Sequence, residues 1–176
     1  MNSCARIFAT RIIATHGGIS FGSAGTTHHA TEDYAIVRAF PNLTVIVPAD
    51  AIETAQAVKK CMEIDGPVYI RIGRGFEPGV YTAEDYEFEV GKAIEMRSGT
   101  DLAIIATGAT VYHAVQAADI LKAESGISAR VLNMHTLKPL DEEAVLKAVA
   151  ETRRLITVED HNVINGLGSA VADVIA

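Results

Sequence analysis

Short apolar runs alternate with helix-length amphipathic segments in the first part of the chain. The β-branched and apolar runs predict buried strands at residues 11–15, 43–47 and 68–72. Apolar residues at helical spacing between these strands predict helices at residues 31–40 and from Asp50 to about Glu63. Asp50 is the expected N-cap of the second helix, with Glu53 three residues later in a variant of the capping box. This β-α-β order favours a parallel sheet with right-handed crossovers.

A second α/β series begins at Leu102. Its predicted strands lie at residues 102–106, 129–133 and 155–158, preceded by a short strand at 90–95. Its predicted helices lie at residues 110–123, from 140 or 141 to about 150, and 167–175. The stretch between the two series holds glycine, proline, acidic and aromatic residues, which is typical of a linker. We therefore predict an α/β protein of two sections, residues 1–75 and 91–176, joined by a linker at 76–90.

Composition narrows the class of protein. The chain has 176 residues, of which 49% are hydrophobic and 21% charged, as in soluble globular proteins. A net charge of −7 argues against a nucleic-acid partner, yet one or two well-placed cations suffice for a small anionic substrate. No apolar stretch approaches the roughly 20 residues of a membrane span, and the first residues lack signal-peptide features. We expect a cytoplasmic protein without membrane contact, whose Cys4 and Cys61 are reduced thiols.

The densest polar segment is a glycine-rich loop at residues 16–29. It carries His16, His28 and His29, half of the chain's six histidines, and it follows a predicted strand. Open α/β sheets bind ligands at this edge, and histidine can donate, accept or carry charge near neutral pH. Zinc at His28 and His29 is disfavoured because adjacent side chains point apart and no cysteine or carboxylate completes a set. We predict no metal ligands.

Two arginines flank the end of another predicted strand, at residues 68–72. Arg71 lies within the strand and Arg74 just beyond it. From its position Arg74 could bind a phosphate bidentately. A surface salt bridge is an equally plausible role for arginines at this spacing.

Other polar features carry weaker signals. Gly108 and residues 165–169 resemble phosphate-binding turns, but neither has a dinucleotide fingerprint or a P-loop lysine, so packing is the expected role. His113, His135 and His161 occur singly and are expected to be capped or solvated. Residues 159–161 form a polar strand end that could serve as an interface element. Residue-level reasoning thus reaches a soluble α/β protein whose histidine loop is expected to meet a phosphorylated small molecule.

Two segments resemble the transketolase family. The first runs from residues 14–16 through the Thr-His-His triplet at 27–29 to Pro-Asn at 41–42 and Pro-Ala-Asp at 48–50. The second comprises Asn-Met-His-Thr-Leu-Lys-Pro-Leu-Asp at 133–141, Glu-Asp-His-Asn at 159–162 and Gly-Leu-Gly-Ser at 166–169. Within that family the chain resembles the C-terminal section of split transketolases, in which a separate subunit carries these two domains. This resemblance implies part of a pyrimidine-binding domain, a three-layer α/β unit with a parallel sheet, followed by a smaller, incomplete α/β C-terminal domain.

The resemblance also implies an activity and roles for individual residues. Transketolases transfer a two-carbon ketol unit between sugar phosphates, using thiamine diphosphate and Mg²⁺ or another divalent metal. By motif position, His28 lies beside the reacting carbons and the cofactor's aminopyrimidine, so it is the predicted catalytic and cofactor-binding residue. His16 and Arg74 match residues that bind the substrate and its phosphate, and His29 is predicted to bind substrate with them. The implied partner is a transketolase N-terminal subunit or domain in a homo- or hetero-oligomer.

Three departures from the family pattern shape these expectations. Ala24 stands where the family usually has an acidic residue that contacts a sugar hydroxyl, which leaves the donor sugar open. The glutamate that activates the aminopyrimidine and the aromatic residues that pack on it belong upstream of His16 and are not in this sequence. The diphosphate- and metal-binding domain is also not in it, and the family pattern continues past both ends. We therefore expect the isolated chain to be inactive and to bind the cofactor weakly or not at all.

Three other readings stay open. Deoxyxylulose-phosphate synthase shares the Thr-His-His loop and the Lys-Pro-Leu-Asp segment, and pyruvate dehydrogenase beta subunits share the architecture. Residues 133–136, Asn-Met-His-Thr, favour transketolase over both. A non-catalytic dimerisation or regulatory module is the third reading, which Ala24 and the missing glutamate support.

Overall fold

The computed structural model describes residues 9–74, 78–82 and 86–176. Strands and helices in this part of the chain alternate much as the hydrophobic pattern predicts. Their bounds are β1 Arg11–Ala14, α1 Asp33–Arg38, β2 Thr44–Ile46, α2 Ala51–Cys61, β3 Val68–Arg71, β4 Ile94–Arg97, β5 Leu102–Ala106, α3 Thr110–Ser125, β6 Ala129–Asn133, β7 Thr136–Lys138, α4 Glu142–Thr152, β8 Leu155–Val158 and α5 Leu167–Ile175. Cys4 and parts of the predicted linker lie outside the described residues.

The strands form two four-stranded sheets. The first has the order β1-β3-β2-β7, in which β1, β3 and β2 are parallel and β7 is antiparallel to β2. The second has the order β4-β6-β5-β8, in which β4 alone runs antiparallel to its neighbour. The predicted α/β class with largely parallel sheets is confirmed. Two details were wrong: β7 was not predicted, and the short strand expected at residues 90–95 lies at Ile94–Arg97.

Local chemistry explains where the helices begin and end. The Asp50 carboxylate accepts a hydrogen bond of 2.9 Å from the backbone N–H of Glu53, which confirms the predicted N-cap of α2. The Glu53 carboxylate returns to the N–H of Ala49, one residue before the cap, at 2.6 Å. Helix α3 ends at Gly126, whose φ of 67° is the left-handed conformation that glycine adopts without strain.

One apolar core serves both sheets. Val45 of β2, Ile105 of β5 and Leu137 of β7 are buried in the same cluster, together with Leu167 at the start of α5. The two sections therefore pack directly against each other, and the carboxyl ends of β1 and β3 lie beside the connection between β8 and α5. Cys61 is a buried free thiol at the end of α2.

Candidate active site

The histidine loop, residues 16–29, follows the carboxyl end of β1. A backbone hydrogen bond between Gly18 and His29 closes the loop, and these two residues form its neck. His16 and Gly18 adopt positive φ angles of 66° and 107°, which turn the chain away from the strand. Residues Ile19–Ala24 form a short 3₁₀ segment, kinked at Gly22. The N–H of Gly18 then donates to the carbonyl of His29 at 2.7 Å, which joins the two ends of the loop.

Three of the four predicted site residues surround the ring of Phe21. The ring centroids of His16 and His28 lie 5.1 and 5.7 Å from that of Phe21. The guanidinium carbon of Arg74 lies 5.6 Å from the same centroid, within cation–π range. His16, His28 and Arg74 are all exposed. The loop therefore presents two imidazoles at the surface beside the guanidinium of Arg74, which follows β3. Sequence reasoning did not identify Phe21 as the residue that all three side chains contact.

Neighbouring threonine hydroxyls orient the two exposed imidazoles. Nδ1 of His16 lies 2.8 Å from Oγ1 of Thr15, and Nδ1 of His28 lies 2.9 Å from Oγ1 of Thr27. His29 differs from them because it is half-buried, with Nε2 3.3 Å from the carbonyl oxygen of Gly22. The structure thus places His29 against the loop's own backbone rather than beside Phe21.

Beneath the loop, the buried side chain of Arg71 makes an ion pair and a hydrogen bond. Its Nε lies 3.3 Å from a carboxylate oxygen of Asp33, and its Nη2 donates to the carbonyl of Asp160 at 2.9 Å. The Asp33 carboxylate also accepts from the hydroxyl of Tyr69 at 2.9 Å. Burial raises the pKa of Tyr69 well above its ordinary value, with the Asp33 charge as a further cause, so Tyr69 stays a donor. The surface salt bridge considered for Arg71 from sequence is wrong, since only 3% of this residue is exposed.

Two of the single histidines are buried rather than solvated. His161 stacks on Tyr34 with ring centroids 3.8 Å apart, and its Nδ1 lies 2.7 Å from the carbonyl of Asn162. His135 has no exposed surface, and burial lowers the pKa of its imidazole to about 4, so it is neutral near pH 7. Of the two expected roles, capped or solvated, solvation is wrong for both residues, whereas each Nδ1 has a hydrogen-bond partner. The interpretation of residues 159–161 as an interface element agrees with the structure, because His161 contacts the first section.

Neither glycine turn is an open phosphate site. At the start of α5, the N–H groups of Leu167 and Gly168 donate to the two carboxylate oxygens of Glu159, at 2.7 and 3.0 Å. The chain's own carboxylate thus occupies the place where a phosphate would bind. The N–H of Gly108 donates to the carbonyl of Val47 at 3.1 Å. Both turns serve packing, as the sequence predicted.

The described residues do not fit the diphosphate or the metal of thiamine diphosphate. Within residues 9–74, 78–82 and 86–176, no group of three or more His, Cys, Asp or Glu side chains is arranged to hold a metal ion. The helix N-terminus that most resembles an anion site is filled by Glu159. The grouping of His16, His28 and Arg74 around Phe21 suits the negatively charged end of a substrate instead. In the same part of the chain, no helix has the length and apolar character needed to cross a bilayer.

Comparison with known proteins decides the family. Residues 3–76 match the family description "Transketolase, pyrimidine binding domain", and residues 91–176 match "Transketolase, C-terminal domain". The chain belongs to the transketolase family. Among solved structures, this transketolase-family chain is similar to "Split gene transketolase, inactive beta4 tetramer", with a TM-score of 0.85 and 45% identity over 94% of this chain and 52% of that one.

Curated relatives point to the split branch of the family. An apulose-4-phosphate transketolase subunit of Phocaeicola vulgatus is 46% identical over 94% of this chain and 53% of its own length. "6-deoxy-6-sulfo-D-fructose transketolase subunit SqwH" of a Clostridium species is 43% identical over 93% and 50%. "1-deoxy-D-xylulose-5-phosphate synthase" of Heliobacterium modesticaldum is 39% identical over 90% and 24%. The chain spans about half the length of the split-transketolase relatives.

Proposed function

We propose that this chain is the part of a transketolase that presents substrate-binding residues to the reacting sugar. The assembly would transfer a two-carbon ketol unit between sugar phosphates with thiamine diphosphate. The observation that carries the proposal is the grouping of His16, His28 and Arg74 around Phe21. Similarity to split-transketolase subunits over more than nine-tenths of the chain supports the reaction class.

The charge of the loop suits an anionic sugar. Residues 16–29 contain no aspartate or glutamate, although the whole chain has a net charge of −7. Arg74 is assigned to the substrate phosphate, since a guanidinium binds two phosphate oxygens at once. His16 and His28 are assigned to donate protons or hydrogen bonds to sugar oxygens on which negative charge develops. His29 remains a predicted substrate-binding residue of the same loop.

The cofactor and its metal are assigned mainly to a partner. Thiamine diphosphate, when bound, supplies the electron sink for the transferred unit. The chain's own contribution is His28 on the aminopyrimidine side. The Mg²⁺ is assigned to a transketolase N-terminal subunit or domain, since no described group of side chains is arranged to hold a metal ion, and the diphosphate that the metal accompanies is assigned there with it. Two relatives are named as subunits of a transketolase, which supports an assembly of several chains, and we place this assembly in the cytoplasm.

The first test titrates thiamine diphosphate with Mg²⁺ into the purified chain by calorimetry. We expect no measurable heat, because the described residues offer no group of metal ligands and the glycine turn at the start of α5 is filled by the Glu159 carboxylate. Stoichiometric binding would show that the chain builds a cofactor site alone and would contradict the assignment of the diphosphate to a partner.

The second test measures catalysis in a grafted assembly. This chain replaces the matching residues of the Phocaeicola vulgatus subunit, which is then assayed with the remaining part of that enzyme. Ketol transfer from a ketose phosphate is expected, and His28→Ala is expected to lower kcat by roughly 10²–10⁴-fold, the range for removing one acid–base group. His113→Ala, an exposed histidine on α3, is the matched control and should leave kcat unchanged.

Two alternatives are separated by the same assay. The relative at 39% identity supports a synthase that uses pyruvate as donor, and transfer from pyruvate but not from a ketose phosphate would establish it. The solved relative described as an inactive tetramer supports a non-catalytic module. A grafted assembly in which His28→Ala changes nothing would favour that module.

A further inference from the structure

One short segment of the second section holds both ends of the histidine loop. At the start of the loop, the N–H of Ile19 donates to Oδ1 of Asp160 at 2.8 Å. At its end, the carbonyl of Thr31 accepts from the N–H and from Nδ2 of Asn162, at 2.9 and 2.7 Å. Two residues that are two positions apart therefore fix the loop on either side of its neck.

The middle of the same segment anchors it to the first section. His161 stacks on the buried ring of Tyr34 in α1, and the carbonyl of Asp160 accepts from Arg71 at the end of β3. A methyl group added at Gly18 would collide with the Asp160 carboxylate, and one at Gly17 would collide with the Arg71 guanidinium. The neck thus lies in direct contact with Asp160 and Arg71, with no room for a side chain between them.

We propose that residues 160–162 are a clamp that positions the histidine loop for catalysis, with Asp160 as its principal positioning residue. This proposal rests on the proposed function, because the reaction for which the loop is positioned is the proposed ketol transfer. Asp160 bonds to the backbone of the loop. It acts through Ile19, two residues before the Phe21 ring on which His16, His28 and Arg74 pack. Rotation of the neck would therefore move Phe21 and the two loop histidines relative to Arg74, which follows β3 outside the loop.

The structural part of the test uses the 176-residue chain and three substitutions. Asp160→Ala removes the acceptor for Ile19, whereas Asp160→Asn keeps an oxygen at that position and removes only the charge. Asp101→Ala is the matched control, because Asp101, just before β5, also accepts from a backbone N–H, that of Ser128 just before β6, at 2.7 Å. Amide hydrogen exchange and the NMR signals of the histidine rings report on the loop, and urea unfolding reports on global stability.

The clamp predicts a specific pattern of results. Asp160→Ala should speed exchange at Ile19 on the order of tenfold, the effect of losing one hydrogen bond, and should shift the ring signals of His16 and His28. Asp160→Asn should restore the exchange rate and the ring signals, and Asp101→Ala should leave both unchanged. The proposal is overturned if Asp160→Ala leaves Ile19 and both rings as in the wild type, or if Asp160→Asn behaves like Asp160→Ala.

A milder variant covers the case in which Asp160→Ala does not fold. Asn162→Ala keeps the backbone donor to Thr31 and loses the Nδ2 bond, together with the bond that its Oδ1 accepts from the N–H of Ile164 at 2.8 Å. It should shift the His28 ring signal while the unfolded fraction in buffer stays negligible. An unchanged His28 signal would count against the clamp.

The catalytic part of the test uses the grafted assembly. Asp160→Ala should lower kcat by roughly 10–100-fold, since small misplacement of reacting groups has costs of this order. The KM for the ketose phosphate should change much less, and Asp160→Asn should recover most of the rate. If the wild-type graft transfers no ketol unit, the proposed function fails. The amide exchange rates and histidine ring signals of the 176-residue chain then still decide whether residues 160–162 fix the conformation of the loop.

Discussion

At the scale of single residues, Glu53 is a carboxyl group buried at the junction of the two sections. The side-chain N–H₂ of Asn133 on β6 lies 2.8 and 3.1 Å from its two oxygens, and the Tyr81 hydroxyl lies 3.2 Å from one of them. Burial raises the pKa of Glu53 to about 7 despite these donors. Within the described part of the chain, the buried carbonyl oxygen of Asn133 has no hydrogen-bond donor.

Glu53 should make stability depend on pH in a defined direction. Its pKa is raised from 4.5 in the unfolded chain, so the folded state holds a proton that the unfolded state releases. The resulting stabilisation is full below pH 4.5 and is lost as the pH rises to about 7. Between about pH 5.5 and 8 this group should reduce the free energy of unfolding by about 2 kcal/mol. Glu53→Gln should abolish that loss, as measured by urea unfolding at the two pH values.

Glu142→Gln is the control for this prediction. Glu142 also lies in the first turn of a helix, α4, but it is exposed. Its substitution should leave the pH dependence of unfolding as in the wild type. If Glu53→Gln and the wild type lose stability in parallel over the same pH range, then Glu53 is ionised throughout and its protonation does not stabilise the fold.

At the scale of elements, β7 joins the two sections more directly than any predicted element. It pairs with β2 in the first sheet, and Nζ of Lys138 donates to the carbonyls of Arg38 and Phe40 just after α1. Leu137, at its centre, is 2% exposed and packs in the shared core. A strand from the second section thus completes the sheet that carries the histidine loop.

Leu137→Ala should therefore lower the stability of the whole chain. We expect a loss of about 2–5 kcal/mol in the free energy of unfolding, the usual range for a fully buried leucine. Leu146→Ala in α4 is the matched control, because Leu146 is 52% exposed and the same substitution should cost under about 1 kcal/mol there. Equal losses for the two variants would show that β7 does not hold the core as described.

The hydrophobic pattern was sufficient for helices of several turns and for strands of four or five mostly apolar residues, but not for β7. The strands at residues 102–106, 129–133 and 155–158 and the helix at 167–175 were predicted with their observed bounds. Strand β7 has only three residues and is followed by Pro139. Three residues are too few for a periodic signal. Its partner β2 lies far earlier in the chain, in the first section, so the pairing depends on tertiary structure.

At the scale of the whole molecule, the site depends on both sections. His16, His28 and Arg74 were recognisable from motif positions in one stretch of sequence. Arg71, Asp160 and Asn162 were not, because their contacts join residues 89 to 141 positions apart. The packing role of the glycine turn at residues 165–169 was predicted, but only the fold shows that the Glu159 carboxylate fills it.

A shared core also predicts that the two sheets unfold together. Val45 of β2 and Ile105 of β5 belong to the same buried cluster although they lie in different sheets. Removing two methyl groups with Val45→Ala should cost about 2 kcal/mol. Because unfolding is expected to be one transition, the slowest-exchanging amides of β3 and of β5 should lose protection by the same amount.

Native-state hydrogen exchange checks this coupling, with Val58→Ala as the control. Val58 lies on α2 and is 36% exposed, so this substitution should affect protection in both sheets only slightly. Loss of protection in β3 alone after Val45→Ala would mean that the first sheet opens while the second stays folded. In that case residues 160–162 would stay folded while the histidine loop is unfolded. Asp160 could then position the loop only after the first sheet had refolded.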